Sequence, residues 1–190
     1  SNKVLFTDGF ENGDSSMDRW SRSYFAVTPD DFTEREWVVT GDLPNGRPGR
    51  AFFGVDPGYG TCAPGGDESS VLHLDSPQIA IPASTKNLWM AFDHWVATED
   101  GYDGGNVKIS VNGGEWVVVE AADFIYNPYN VNGWGVDFIP GLPYTTNPIG
   151  WEAGHWSGTD GGNVGGSWGR SIINLENYAQ PKDKIRVRFD

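Results

Sequence analysis

Cysteine is nearly missing from this chain: Cys62 is the only one in 190 residues. A disulfide within these residues is therefore excluded, and any bridge needs a partner outside them. Histidine is almost as scarce. His73, His94 and His155 lie far apart and show no metal-ligand spacing such as His-Glu-x-x-His, which leaves zinc chemistry without a footing. Positive charge is also thin, with 13 Lys and Arg against 26 Asp and Glu and a formal net charge of −13. Such a chain repels nucleic acid and anionic membrane surfaces and has no basic stripe for either. No apolar run approaches the roughly 20 residues that a membrane-spanning helix needs. No charged-then-apolar leader stands at Ser1, so an export signal is expected to have been removed or to lie upstream. Long alanine- or leucine-rich stretches are absent as well, and helix is expected to be scarce.

What is abundant is turn chemistry and aromatic mass: 26 glycines, 12 prolines and 9 tryptophans. Short strands separated by turns fit that composition, and the length suits one domain, residues 1–190, with a full sandwich core. The most informative stretch runs from 88 to 119. Leu88, Met90, Phe92 and Val96 fall on one side of a strand; Trp89, Ala91 and Trp95 fall on the other, with Asp93 and His94 interrupting the pattern. Both sides are mostly apolar, which predicts a strand covered on two faces. Residues 107–111 then alternate, and Asn112-Gly113-Gly114 offers the positive φ angles of a tight hairpin before Trp116.

Further strands are expected at 4–10, 23–27, 36–40, 50–55, 71–75, 122–127, 171–175 and 184–189. A polar turn is expected at 11–14, a Gly/Pro-rich connection at 41–49, and a strand end at Ser76-Pro77. In the last strand, Ile185, Val187 and Phe189 should face inward, with Lys184, Arg186 and Arg188 facing water. From about 128 to 163 regularity disappears into a long loop rich in Asn, Gly, Pro and aromatics. Loops of that length in a compact domain usually carry function. Asp-Gly-Gly-Asn-Val occurs at both 103–107 and 160–164, which two similar turns explain. The fold class expected is all-β, an antiparallel two-sheet sandwich.

Taken in order, these pieces resemble the MAM-like jelly-roll (galactose-binding-like) domains attached to secreted bacterial metallopeptidases of the immune-inhibitor-A and fungalysin kinds. The resemblance rests on Asp8-Gly9-Phe10-Glu11-Asn12-Gly13 with Trp20, and on Asp67-Glu68-Ser69-Ser70 leading to Leu74-Asp75-Ser76-Pro77. It continues through Phe92-Asp93-His94-Trp95 with Gly101-Tyr102-Asp103-Gly104-Gly105-Asn106-Val107, and through Ser110 to Gly114 and Phe124 to Tyr129. The last matching pieces are Gly158 to Gly162, Gly166-Ser167-Trp168-Gly169 and Ile185 to Asp190. The match covers nearly the whole chain. It implies a closing strand and a partner cysteine for Cys62 beyond Asp190. It also implies a structural Ca²⁺ stapling the first strand to its neighbours, with Glu11 as the leading ligand. Calcium takes about six to eight oxygens, which turns supply readily. Asp42, Asp93 and Asp8 are the plausible companions, although Glu11 capping a turn and Asp93 pairing with an Arg or His would serve structure equally well.

Gly165-Gly166-Ser167-Trp168-Gly169 fits the Gly-x-Ser-x-Gly elbow of serine hydrolases. That elbow needs a strand before the serine, a helix after it and a later histidine. The residues after Ser167 read as strand, and no histidine comes after it. Acids abound, but abundance is no sign of a pair held at glycosidase separation. No catalytic residue is therefore assigned. The aromatics of the long loop, Trp134, Tyr144, Trp151 and Trp156 beside Tyr129, can stack on sugar rings or anchor a protein, or else fold back as the loop's own small core. The functional expectation is a non-catalytic accessory domain of a secreted or cell-surface bacterial exoenzyme, a peptidase by the resemblance. Its partners would be the parent catalytic domain and an extracellular protein or polysaccharide, and its roles targeting, interaction or stabilisation. A carbohydrate-binding module of a polysaccharide-degrading enzyme is the alternative.

Overall fold

The computed structural model describes residues 3–55, 68–100, 102–132, 154–158 and 166–190. Cys62, Trp134, Tyr144 and Trp151 lie outside these residues. Where a strand was expected at 4–10, the chain has no sheet partner. Asp8 explains this, because its Oδ1 accepts the Phe10 N–H at 2.9 Å, and Phe10 takes φ 60°. A side chain that bonds its own backbone competes with a ladder. The expected polar turn after it runs on into a short helix, α1, Asp14–Arg19. Asp14 in its first turn and Arg19 in its last suit the helix dipole.

The strands then run β1 Ser21–Ala26, β2 Val38–Thr40, β3 Ala51–Phe53, β4 Ser70–Asp75, β5 Ile79–Ala80, β6 Trp89–Trp95 and β7 Gly104–Gly105. They continue with β8 Val107–Val111, β9 Val117–Val118, β10 Phe124–Tyr126, β11 Val131–Asn132, β12 Gly154–Ser157, β13 Trp168–Asn174 and β14 Lys184–Phe189. All pairings are antiparallel. The larger sheet has the order β1-β4-β14-β8-β9, and β5 adds to the start of β14. Ser76-Pro77 interrupts that edge without ending it, since Ser76 Oγ accepts the Val187 N–H and pairing resumes at Ile79. A second sheet has the order β10-β13-β6, while β11-β12-β7 and β2-β3 form two small ones.

The two larger sheets share one core, and the architecture is an all-β, sandwich-like arrangement. Val107, Ile109, Ile185 and Val187 come from β8 and β14; Ile173 comes from β13, with Met90, Phe92 and Phe124 packed against it. Phe92 and Phe189 meet edge to face with centroids 5.1 Å apart. Each fully buried aliphatic side chain contributes on the order of 2 kcal/mol. The hairpin follows the sequence closely, with Asn112 at φ 53° and Gly113 at φ 74°.

Two expectations about faces are corrected. Arg188 does not face water, for it forms a two-pronged pair with Asp75 at 2.6 and 2.9 Å beneath the Trp116 ring. β6 is not covered on both sides either: Met90 and Phe92 are half-buried, whereas Trp89, Ala91 and Asp93 are exposed. The expected loop from 128 to 163 also contains structure. β11 and β12 pair within it, and β12 pairs in turn with β7. No helix among the described residues is long and apolar enough to cross a membrane.

Candidate functional site

The outward face of the β10-β13-β6 sheet follows from register. Trp95 stands opposite Trp168, Asp93 opposite Arg170, Ala91 opposite Ile172 and Trp89 opposite Asn174. Directly opposed residues share a face, so this row alternates with the inward row of Met90, Phe92 and His94. β10 adds Tyr126 by means of a register shift. Phe124 pairs with Ile173, which is inward, whereas Tyr126 pairs with Ile172, which is outward. Two residues apart on a regular strand would share a side. The bulge at Ile125 turns the second ring outward. Tyr126 is 61% exposed and Trp89 47% exposed.

One end of this face is fixed by charge. Asp93 Oδ1 accepts Arg170 Nε at 2.6 Å, and its Oδ2 pairs with Arg47. Arg47 lies over the Trp168 ring, 4.3 Å from its centroid, and Trp168 donates its indole N–H to the Pro44 carbonyl at 3.0 Å. The turn at Pro44–Gly46 has Asn45 at φ 56° and Gly46 at φ 64°, and so brings Arg47 over the sheet. Trp95 packs edge-on against Trp168 at 5.8 Å. Arg47, Asp93, Tyr126, Asn127, Trp168 and Arg170 line an open depression of about 520 Å³.

The hydrogen bond from Arg170, helped by Arg47, holds the Asp93 carboxyl below the usual carboxylate range against the opposing effect of burial. A carboxyl lowered in this way stabilises the fold above its unfolded value and loses that contribution as pH falls through the folded one. The Trp168 indole resonance is therefore expected to stay constant from neutral pH down to about 4, and to move only at more acid pH. A transition centred above the ordinary aspartate value would contradict the clamp. Gly166 sets the Trp95 edge. It has φ 79°, and a Cβ there would lie 2.6 Å from both Trp95 Nε1 and the Val96 carbonyl oxygen. Gly166→Ala is expected to cost at least about 1–3 kcal/mol in a urea melt; an unchanged midpoint would rule out this packing.

The expected calcium ligands are not brought together. Asp8 is engaged by the Phe10 N–H, by Ser16 Oγ at 3.3 Å, by the Trp20 indole at 3.1 Å and by Arg19 at 3.2 Å. Asp93 is held between two guanidinium groups. Glu11 Oε1 accepts the Arg50 N–H at 3.2 Å, which does tie the first segment to the 41–49 connection, but through protein. Asp42 is exposed, its own N–H bonded to Thr40 Oγ1. Among the described residues, no group of three or more His, Cys, Asp or Glu is placed to hold a metal ion. The named set therefore does not fit one ion.

Of the expected ligand-binding aromatics, only Tyr129 and Trp156 are described; Tyr129 is 3% exposed, and Trp156 offers no surface either. It is 4% exposed and packs against Phe92, Phe124 and Tyr129. Ser167 directly precedes β13, so no helix comes after it. His94 shares a 2.8 Å hydrogen bond with Ser171 Oγ, and His73 lies 2.5 Å from Asp190.

Sequence reasoning missed Arg47, Arg170 and Tyr126 as a group. Trp89, Ala91 and Trp95 were legible as one side of β6, with Asp93 only an interruption, and the bulge that turns Tyr126 toward them leaves no mark in the sequence. Compared with known proteins, the chain matches no family model, no curated protein and no solved structure.

Proposed function

We propose that the chain is a non-catalytic accessory module of jelly-roll, MAM-like type, belonging to a secreted bacterial exoenzyme, and that it directs its parent enzyme to polysaccharide. Supporting this reading is the outward face of β10-β13-β6, where Trp89 and Tyr126 stand exposed on the same side of the sheet as Trp168. Rings held on a sheet lose little entropy on binding and present flat apolar area to the faces of sugars. Retention on insoluble polysaccharides against retention on collagen or elastin tests the reading. Binding to the protein matrices alone would instead favour a peptidase-targeting role.

Tyr126→Ala and Trp89→Ala are each expected to weaken polysaccharide binding about tenfold, as hot-spot aromatics do. Both should leave the melting temperature nearly unchanged, because they sit on the surface. Full binding by the double variant would remove this face from the account. Calcium enters the proposal at Glu11 and the turns round it, apart from Asp8 and Asp93. Excess Ca²⁺ should raise the melting temperature above that in EDTA, with about 2.7 kcal/mol gained at a hundredfold excess over Kd. Coincident curves, or a rise that persists in Glu11→Gln, would remove that ligand.

A further inference from the structure

Building on the carbohydrate-binding reading, we propose that the depression between Arg47, Arg170 and Tyr126 is a subsite for an acidic sugar, with a uronate carboxylate on the guanidinium pair and its ring against Tyr126. Two guanidinium groups converge on one carboxylate, Asp93, which leaves the cluster with a local charge of one positive unit on a chain of net charge −13. Arg170 meets Asp93 through Nε, and its side chain is 63% exposed. A guanidinium carries five N–H donors, so each arginine has unspent donors to offer. Paired N–H groups match both oxygens of a planar carboxylate.

The geometry is also held in advance. Arg47 is clamped between Asp93 and the Trp168 ring, which reduces the order lost when a ligand arrives. Tyr126 lies on the same face beside Ile172, two residues along β13 from Arg170. A group with an apolar sugar face and a carboxylate at its edge fits that pairing of ring and fork. A neutral sugar would leave the second half unused.

Affinity electrophoresis of the whole chain in gels of polygalacturonate, alginate, xylan, mannan and dextran sulfate tests this. Retardation by at least one polyuronate, stronger than by xylan, mannan or dextran sulfate, is expected. Arg170→Ala and Arg170→Lys should each weaken polyuronate binding about tenfold, since lysine keeps the charge and loses the fork. Tyr126→Ala should weaken it too. Equal retardation by dextran sulfate and polyuronate would reduce the subsite to charge alone and overturn the assignment, as would full binding by Arg170→Lys. Retardation by xylan or mannan without polyuronate binding overturns the acidic subsite while leaving the carbohydrate reading intact. Mobility unchanged in every gel overturns both.

Discussion

Replacing Asp190 by alanine is expected to lower the unfolding free energy by about 3–5 kcal/mol, the usual cost of leaving a buried charge without its partner. The side chains of Asp190 and Lys108 are both 0% exposed, and Asp190, immediately after β14, pairs directly with Lys108 of β8. Asp190 also faces the His73 ring on β4 at 2.5 Å, so one carboxylate joins three strands of the larger sheet. Its backbone exchanges hydrogen bonds with Asn106 in both directions at 3.1 Å, which extends the β14–β8 ladder. Burial pushes the Lys108 ammonium down from its usual value even with Asp190 beside it. Without the carboxylate, only the weaker pull of the Asp75 charge offsets that desolvation. Lys108→Met should cost less, because Asp190 keeps His73. The double variant should be more stable than the sum of the two single losses predicts, the sign of a coupled pair. Urea denaturation of all four proteins gives the cycle, and strictly additive losses would show that the two groups do not interact.

Trp156→Ala carries the second large effect, also about 3–5 kcal/mol, as expected for a large aromatic removed from a core. The indole is surrounded by Phe92 at 5.9 Å, Phe124 at 5.9 Å and Tyr129 at 4.6 Å, all close to perpendicular to it. Tyr129 is itself 3% exposed, and its hydroxyl accepts the Val107 N–H at 3.1 Å. Deleting the indole would open a cavity where β12 packs against Tyr129 and the β10-β13-β6 sheet. Trp156→Phe should be much milder, since phenylalanine keeps a ring and removes an indole N–H that has no partner among the described residues. A Trp156→Ala protein that melts like the wild type but no longer binds polysaccharide would reinstate this residue as a surface contact.

These two sites mark where sequence reasoning stopped. The alternation of residues 107–111 was legible, and so was the Asn-Gly hairpin. Lys108 was not legible as buried, because its partner lies 82 positions away. Pairing at that range has no local signature. The same holds for Arg188, which reads as a solvent-facing cation until Asp75 and Trp116 are placed around it. Trp156 reads as part of a loop because the flanking sequence is glycine-rich, yet β12 pairs through Gly104 and Gly105. Residues 4–10 show the reverse error, in which strand-like composition was overruled by one carboxylate, Asp8, bonding its own backbone.

The candidate site divides along the same line. Counting in twos places Trp89, Ala91 and Trp95 on one side of β6, while Asp93 reads only as an interruption of the apolar pattern. Tyr126 required a bulge, and Arg47 required a turn with two consecutive positive φ angles. The bulge is a choice that the surrounding fold makes, whereas Asn45-Gly46 carries the same positive-φ signal as Asn112-Gly113 and hides only where it carries Arg47.

The outward face is tested most directly by the indole N–H resonances of ¹⁵N-labelled protein, assigned through single Trp→Phe variants and tracked during titration with oligosaccharides of the polymer that retains the protein. Trp89 and Trp168 should shift in a saturable way while Trp156 stays fixed. Shifts confined to Trp134 and Trp151, with Trp89 and Trp168 unmoved, would place the binding surface elsewhere and contradict the account.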